Sequence, residues 1–299
     1  MSTQTIPGVN ARPTTDLPVL LPLNKNKAAG PDAMVVSRWL AGLPWWTPVA
    51  ILAVIFTWPL AASAQSKFTY TDAVGELVRW MPFLITKGFL FNILISFFAM
   101  AIGTMAGACL GLAQISLNPM TRRIAQFLTQ AFRNSPWLVL LYIVLLAFPF
   151  EIKITEDFII PVPDWMKAVI GLALPIMANV SEVVRGAVQS VPTAQWEASE
   201  ALAFSRMQTL WQIILPQCFK RMIPPWMNWY AILTMATPLC SLLGVDELIN
   251  LSRQAMEGSD NHPELLVPFY GFAMLIFFAY CYPIARWTIS LERKYAVKL

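Results

Sequence analysis

Charge is what this sequence has least of. Asp, Glu, Lys and Arg make up 13% of its 299 residues, where soluble domains carry about 25%. A water-facing shell needs more, so the composition excludes an ordinary soluble globule. There is one histidine, His262, in a polar stretch before Pro263, and the four cysteines form no CxxC. That leaves no metal-ligand spacing. Cys109, Cys240 and Cys281 lie inside apolar runs and read as small buried hydrophobes, while Cys218 lies in a polar stretch. No GxxxxGK[ST] phosphate loop is present, so the chain is not itself an ATPase of that kind. Its Lys and Arg are scattered at the ends of apolar runs. A nucleic-acid binder would gather them into a stripe.

What is abundant is apolar length. Hydrophobic residues make up 57% of the chain, and its mean hydropathy is +0.57. Residues 1–43 are polar, aperiodic and dotted with Pro7, Pro13, Pro18, Pro22 and Pro31, and read as a disordered cytosolic tail. A spanning helix needs about 20 mostly apolar residues. Six runs meet that: 44–64, 88–113, 127–149, 165–186, 223–245 and 266–288. The first ends Ala62-Ser63-Ala64, which imitates a signal-peptidase site. It lies too far into the chain for a usual signal peptide and reads as a retained helix, with a signal anchor as the alternative. Residues 44–81 are then the first span and a periplasmic loop, and 82–299 the main transmembrane domain. Arg133 and several prolines interrupt the run at 127–149 and the one at 223–245.

Lys and Arg accumulate in cytoplasmic segments. With the N-terminus inside, the inside segments carry fourteen of them and the outside segments six. This predicts an all-α membrane protein of about six spans with both termini cytoplasmic. The long loop 187–222 then lies in the cytosol. Within the run 88–113, Gly103, Gly107 and Gly111 recur every fourth residue, a small-residue stripe that admits a second helix at close range.

The loop is the informative part. Gln195–Ala203 reads as a short helix that Thr193 or Ser190 could cap, with Glu197 and Glu200 near its positive end. Ser205 and Gln208 have capping-box spacing. A second helix comes next with Leu210, Trp211, Ile213 and Ile214 apolar, and Pro216 is expected to help end it. Such a hairpin suits docking into a cleft of a soluble partner. It equally suits an amphipathic helix resting on lipid.

Residues Gln195–Pro216 resemble the coupling loop of ATP-binding-cassette importer permeases, whose pattern is E-A-A, three residues, G, nine residues, I-x-L-P. Here it is Glu197-Ala198-Ser199, then Ala203, then Ile213-Ile214-Leu215-Pro216. Ser199 stands for Ala and Ala203 for Gly, and Ala203 suggests a helix that runs slightly further before turning. Three more segments resemble the polar amino-acid permeases: 133–139 (RNSPWLV), 181–186 (SEVVRG) and 237–248 (TPLCSLLGVDEL). The likeness covers roughly residues 85–290.

The resemblance implies the type I importer permease fold in a bacterial inner membrane. It also implies two separate ATPase subunits, which would hold the ATP since no cofactor is expected on this chain, and a periplasmic solute-binding protein. It makes Glu197, Ala198, Ser199, Ala203, Ile213, Leu215 and Pro216 the coupling contact. It makes the solute an amino acid, with an opine or other nitrogenous metabolite as the alternative, and a channel or membrane enzyme further off. Ionisable residues in spans usually serve a pathway or a partner, so Glu182, Arg185, Asn179 and Ser135 are the candidate pathway residues. Where family members often carry Lys-Asp this chain has Met235-Ala236; Asn134 stands for Gly, Leu140 for Gln and Asn179 for Tyr. That loss of polar groups favours pairing with a different permease subunit over a homodimer.

Overall fold

The computed structural model describes residues 44, 46, 47, 49–51, 53, 54, 68–155 and 158–295. The chain divides into two units, 1–57 and 58–299. In the first, the described residues between 47 and 54 are helical. The tail 1–43 and most of the run 44–64 lie outside the described residues. Every described element from residue 68 onward belongs to the second unit.

The helices of this second unit are α1 (Tyr70–Gln114), α2 (Pro119–Arg133), α3 (Trp137–Ala147), α4 (Asp164–Gln189), α5 (Thr193–Ala201), α6 (Arg206–Leu243), α7 (Leu248–Glu257) and α8 (Pro263–Tyr295). Strands β1 (Glu151–Thr155) and β2 (Phe158–Pro161) form a small antiparallel hairpin between α3 and α4. Three helices, α1, α4 and α8, are long and apolar enough to cross a membrane unbroken. The pairs α2–α3 and α6–α7 raise this to five if each bent pair is one span.

Three elements differ from the sequence reading. Helix α1 begins at Tyr70, so residues 70–81, expected in a periplasmic loop, form its first turns. Asp72 accepts a hydrogen bond from the Thr69 backbone N–H at 2.9 Å and caps that start. Ala73 and Leu77 pack with Leu84, Phe89, Leu248, Leu251 and Phe269, so an apolar face holds these turns against α7 and α8. Second, the run 127–149 is no straight span, because α2 and α3 meet at 105°. Pro136 lacks an amide proton and pushes Ser135 out of the helical region. Asn134 donates to the Gln130 carbonyl at 2.9 Å and Ser135 to that of Ala131 at 2.6 Å, satisfying groups the break releases. Third, α6 runs unbroken past Pro216.

Helix α4 is the hub. Of its most apolar 18 residues 72% are buried, against 33% in α1 and 28% in α8, so α4 is lined by protein while the other two keep wide outward apolar faces. The glycine stripe explains how α1 approaches it. A Cβ on Gly103 would lie 2.5 Å from Ile176 Cγ2, and on Gly107 or Gly111 2.7 Å from the carbonyl oxygens of Met177 and Ser181. Polar bonds then fix the register. Gln114 Nε2 donates to Thr129 Oγ1 and Ser181 Oγ, both at 3.0 Å and all buried, tying α1, α2 and α4. Trp226 Nε1 donates to Thr104 Oγ1 at 2.8 Å, bringing α6 against α1.

The α6–α7 break is also fastened. Gly244 has φ +77°, the left-handed region. Buried Glu247 caps α7 by accepting from Ile249 and Asn250 N–H, and also accepts from Asn92 Nδ2 at 2.9 Å. Asn92 Oδ1 accepts from Leu248 N–H at 3.0 Å and its Nδ2 donates to Thr237 Oγ1 at 2.9 Å, so one amide on α1 pins the break from both sides. At the start of α4, Lys167 is fully buried. Its Nζ bonds Asp164 Oδ1 at 3.2 Å and lies 3.5 Å from the Phe150 ring centroid, which compensates the desolvated charge.

Candidate functional site: a helical hairpin and an adjoining cavity

Helix α5 and the first turns of α6 form the expected hairpin, but its details differ. The N-cap of α5 is Pro192, with no side-chain capping bond. Neither Thr193 nor Ser190 serves. Ser190 Oγ instead donates to the Ala187 carbonyl and accepts from Arg221 Nη1 at 2.7 Å. At the other end, α5 does not run on through Ala203. Phe204 N–H bonds the Ser199 carbonyl at 3.1 Å and Ala203 N–H that of Glu200 at 2.9 Å. This is a Schellman closure with Ala203 as its left-handed residue, φ +59°. Alanine therefore takes the conformation that glycine adopts more easily, because the turn itself is required.

The capping box at Ser205 forms as expected. Gln208 Oε1 accepts from Ser205 N–H at 2.9 Å, and Ser205 Oγ from Gln208 N–H at 3.4 Å. Beyond it Thr209–Ile214 are wound as a π-helix. Pro216 has no N–H to give, and in a regular α-helix its ring would meet the carbonyl four residues back. The wider turn accommodates that ring, and the helix continues instead of ending.

The hairpin is therefore joined to two long helices. Ala187, Val188 and Val191 from the end of α4 pack with Ile214 and Cys218 of α6, and Trp196, Leu210, Ile213 and Leu215 lie against them. Arg221 Nη1 donates to the Ser190 carbonyl at 2.9 Å, and Cys218 Sγ lies 3.3 Å from that of Ala187. Ser199 is buried and bonds the Gln195 carbonyl. Glu197, Ala198, Glu200, Ala203 and Pro216 are exposed, as is Leu202 at 72%. Trp211, one of the apolar residues of the second helix, is 57% exposed.

Beside the hairpin base lies a cavity of about 550 Å³ between α2, α4, α6 and α8. Helix α4 supplies Asn179, Glu182 and Gly186, a stripe at helical spacing that Ser190 continues just past the helix end. Glu182 is the electrostatic centre, with its side chain 16% exposed. It pairs with Arg185 one turn on, and with Arg133 of α2 at 3.9 Å. Arg185 Nη1 also reaches Gln189 Oε1 at 3.3 Å, while its buried Nε has no partner among the described residues. Asn179 Nδ2 donates to the Pro175 carbonyl at 2.8 Å. Of the four candidate pathway residues, Asn179 and Glu182 line the cavity, and Arg185 is not among its lining residues but is tied to Glu182 by their ion pair. Ser135 is not among the cavity's lining residues and serves the α2–α3 break.

The sequence reading missed Arg221, Trp229 and Glu292 at this cavity. Arg221, Pro225 and Trp229 are spaced four apart, and that signal was hidden by taking Pro216 as a helix stop.

Residues 99–289 match the family described as binding-protein-dependent transport system inner membrane component. The chain belongs to this family. It is a multi-pass inner-membrane permease subunit of a binding-protein-dependent importer, a transport component that works with an ATPase and a binding protein. Over 219 residues it is 33% identical to the probable amino-acid ABC transporter permease protein YckA of Bacillus subtilis (strain 168), covering 73% of this chain and 92% of that one. It is 31% identical over 212 residues to the L-cystine transport system permease protein TcyB of the same organism, covering 71% and 86%. Its fold is that of an amino acid ABC transporter solved with histidines, at a TM-score of 0.60 and 21% identity over 73% of this chain and 96% of that one. The inward-facing MetNI methionine ABC transporter shares it too, at a TM-score of 0.57 and 15% identity over 73% and 98%.

Proposed function

We propose that this permease carries an amino acid, and that the α5–α6 hairpin is the handle by which a cytosolic ATPase moves it. The single observation carrying the second point is the hairpin's attachment. Its outer side shows Glu197, Glu200 and Leu202, while its inner side is built into the ends of both α4 and α6. A push on α5 therefore reaches two long helices as a rigid-body displacement. On this reading the hairpin and both termini are cytosolic, two ATPase subunits hold the ATP, and Glu197, Ala198 and Ala203 face the partner. Ser199, Ile213 and Leu215 hold the hairpin's shape, and Pro216 sets the joint.

The amino-acid assignment draws support from the cavity and from relatives named for amino acids. A zwitterion needs a cationic and an anionic contact. The Glu182–Arg133–Arg185 cluster holds both signs next to a cavity of suitable size. Glu182 would receive the ammonium group and Arg133 the carboxylate, exchanging a 3.9 Å ion pair for solute contacts.

Charge reversal tests the handle. Glu197→Lys is expected to abolish uptake in membrane vesicles while membrane abundance stays at the wild-type level, with loss of ATPase co-purification. Undiminished uptake would remove the hairpin from the coupling path.

A further inference from the structure

A second cavity, of about 830 Å³, lies between the end of α1, the start of α2 and the inner side of the hairpin. Arg122 of α2 and Arg206 of α6 both line it. Neither has a carboxylate within ion-pair reach among the described residues. Arg206 lies 5.3 Å from the ring of Trp196, which also lines the cavity, so one cation is held in place by an aromatic face. The rim is apolar and open: Leu117, Met207 and Trp211 are 67%, 64% and 57% exposed.

Depth completes the picture. Helix α4 has 26 residues, about 39 Å at 1.5 Å per residue, and the hydrocarbon core is about 30 Å thick. Its ends therefore reach the headgroup layers, and this cavity sits at one of them, beside Val188 and Val191. We infer that the cavity binds the phosphodiester headgroup of an anionic phospholipid between Arg122 and Arg206, with Trp196 as its floor and an acyl chain along the apolar rim. Two cations with no carboxylate partner among the described residues, at this depth, are the arrangement that attracts anionic lipid. Free phosphate has no use for the apolar rim. The outward acids and Leu202 of the hairpin are not among the lining residues, so a docked ATPase and a bound lipid take different surfaces.

The inference rests on membrane placement of the bundle and not on the coupling role, so it is read from lipid retention without transport. The assembled importer is incubated with mixed phosphatidylglycerol and phosphatidylcholine vesicles, re-isolated, and its retained lipids counted by native mass spectrometry. Wild type should retain phosphatidylglycerol over phosphatidylcholine by on the order of tenfold. The double variant Arg122→Gln/Arg206→Gln should lose that preference, and Arg122→Lys/Arg206→Lys should keep most of it. Thermal stability in phosphatidylcholine nanodiscs should be the same for all three. Equal retention of the two lipids by wild type overturns the inference, as does undiminished preference in the glutamine variant. Displacement of the lipid by inorganic phosphate would assign the site to a free anion. Loss of ATPase co-purification with lipid retention intact would assign it to protein contact. Either result overturns the lipid reading.

Discussion

Ala203 shows how one residue can depart from a motif while the backbone obeys it. The Schellman closure of α5 needs a left-handed residue, and Ala203 supplies it at φ +59°. A Cβ in that region costs about 1 kcal/mol relative to glycine. Ala203→Gly is therefore expected to stabilise the permease by up to about 1 kcal/mol, with part of the gain cancelled by glycine's freer unfolded chain. A rise in the thermal midpoint of the detergent-solubilised protein would show it; a fall would mean the turn is not closed this way. Glu182 carries a second prediction. It is the carboxylate that Arg133 and Arg185 share. Glu182→Gln keeps the shape and removes the charge, so both arginines lose their ion-pair partner. Uptake should fall by an order of magnitude or more, since a charge-assisted contact is worth roughly 1.5–3 kcal/mol. The thermal midpoint should move little, because Arg133 is close to half exposed and can hydrate. A large drop in stability with normal uptake in the surviving protein would make Glu182 a structural pin instead.

At the scale of elements, α1 and α4 carry the clearest test. The stripe Gly103, Gly107, Gly111 was legible in the sequence as a seam for another helix, and that helix is α4. A Cβ at Gly107 would lie 2.7 Å from a backbone oxygen and 2.8 Å from Val180 Cβ. Neither belongs to the flexible end of a side chain. Gly107→Val should therefore force the helices apart and cost about 1–3 kcal/mol or more, seen as reduced folded yield. Gly75→Ala is the control, because nothing lies within 4 Å of its added Cβ, and it should leave yield unchanged. Other elements were less legible, each for a physical reason. The apolar runs marked α4 and α8 because length and hydropathy alone define a span. The early start of α1 was hidden because Asp72, Glu76 and Arg79 keep residues 70–81 out of any long apolar run, and it is the burial of Ala73 and Leu77 that shows the helix face. Pro216 misled because proline usually stops a helix, and the π-turn that lets it pass leaves no mark in composition. The charged cluster at the cavity was half legible. The spacing of Glu182 and Arg185 put them on one face, whereas Arg133 joins them only through the 105° fold of α2 against α3.

For the whole molecule, the distribution of polar groups bears on how many kinds of permease the importer needs. The charged groups that line the cavity beside α4 lie at its hairpin end, Glu182, Arg133 and Arg221 among them, whereas Lys167 and Asp164 at its other end are paired with each other. Further along α6 the family's frequent Lys-Asp pair is replaced by Met235-Ala236, and Met235 is 54% exposed. Leu140 of α3, where family members often carry Gln, is buried. A solute crossing the bilayer needs polar contacts along its path, because unsatisfied groups in hydrocarbon cost several kcal/mol each. Among the described residues, two identical copies of this chain would line the cavities with charge near the hairpin end, while the polar groups at the other end are taken up by their own pairings. A second, different permease lining the other side would supply the rest, and the first chain would then contribute mainly the hairpin and one wall. The expected outcome is that this chain, expressed with its ATPase and binding protein but without another permease, assembles in the membrane and gives no solute uptake above background, while adding the second permease restores it. Uptake by the homomeric assembly, measured with radiolabelled amino acids in proteoliposomes, would place the full path in this chain and remove the need for an unlike partner.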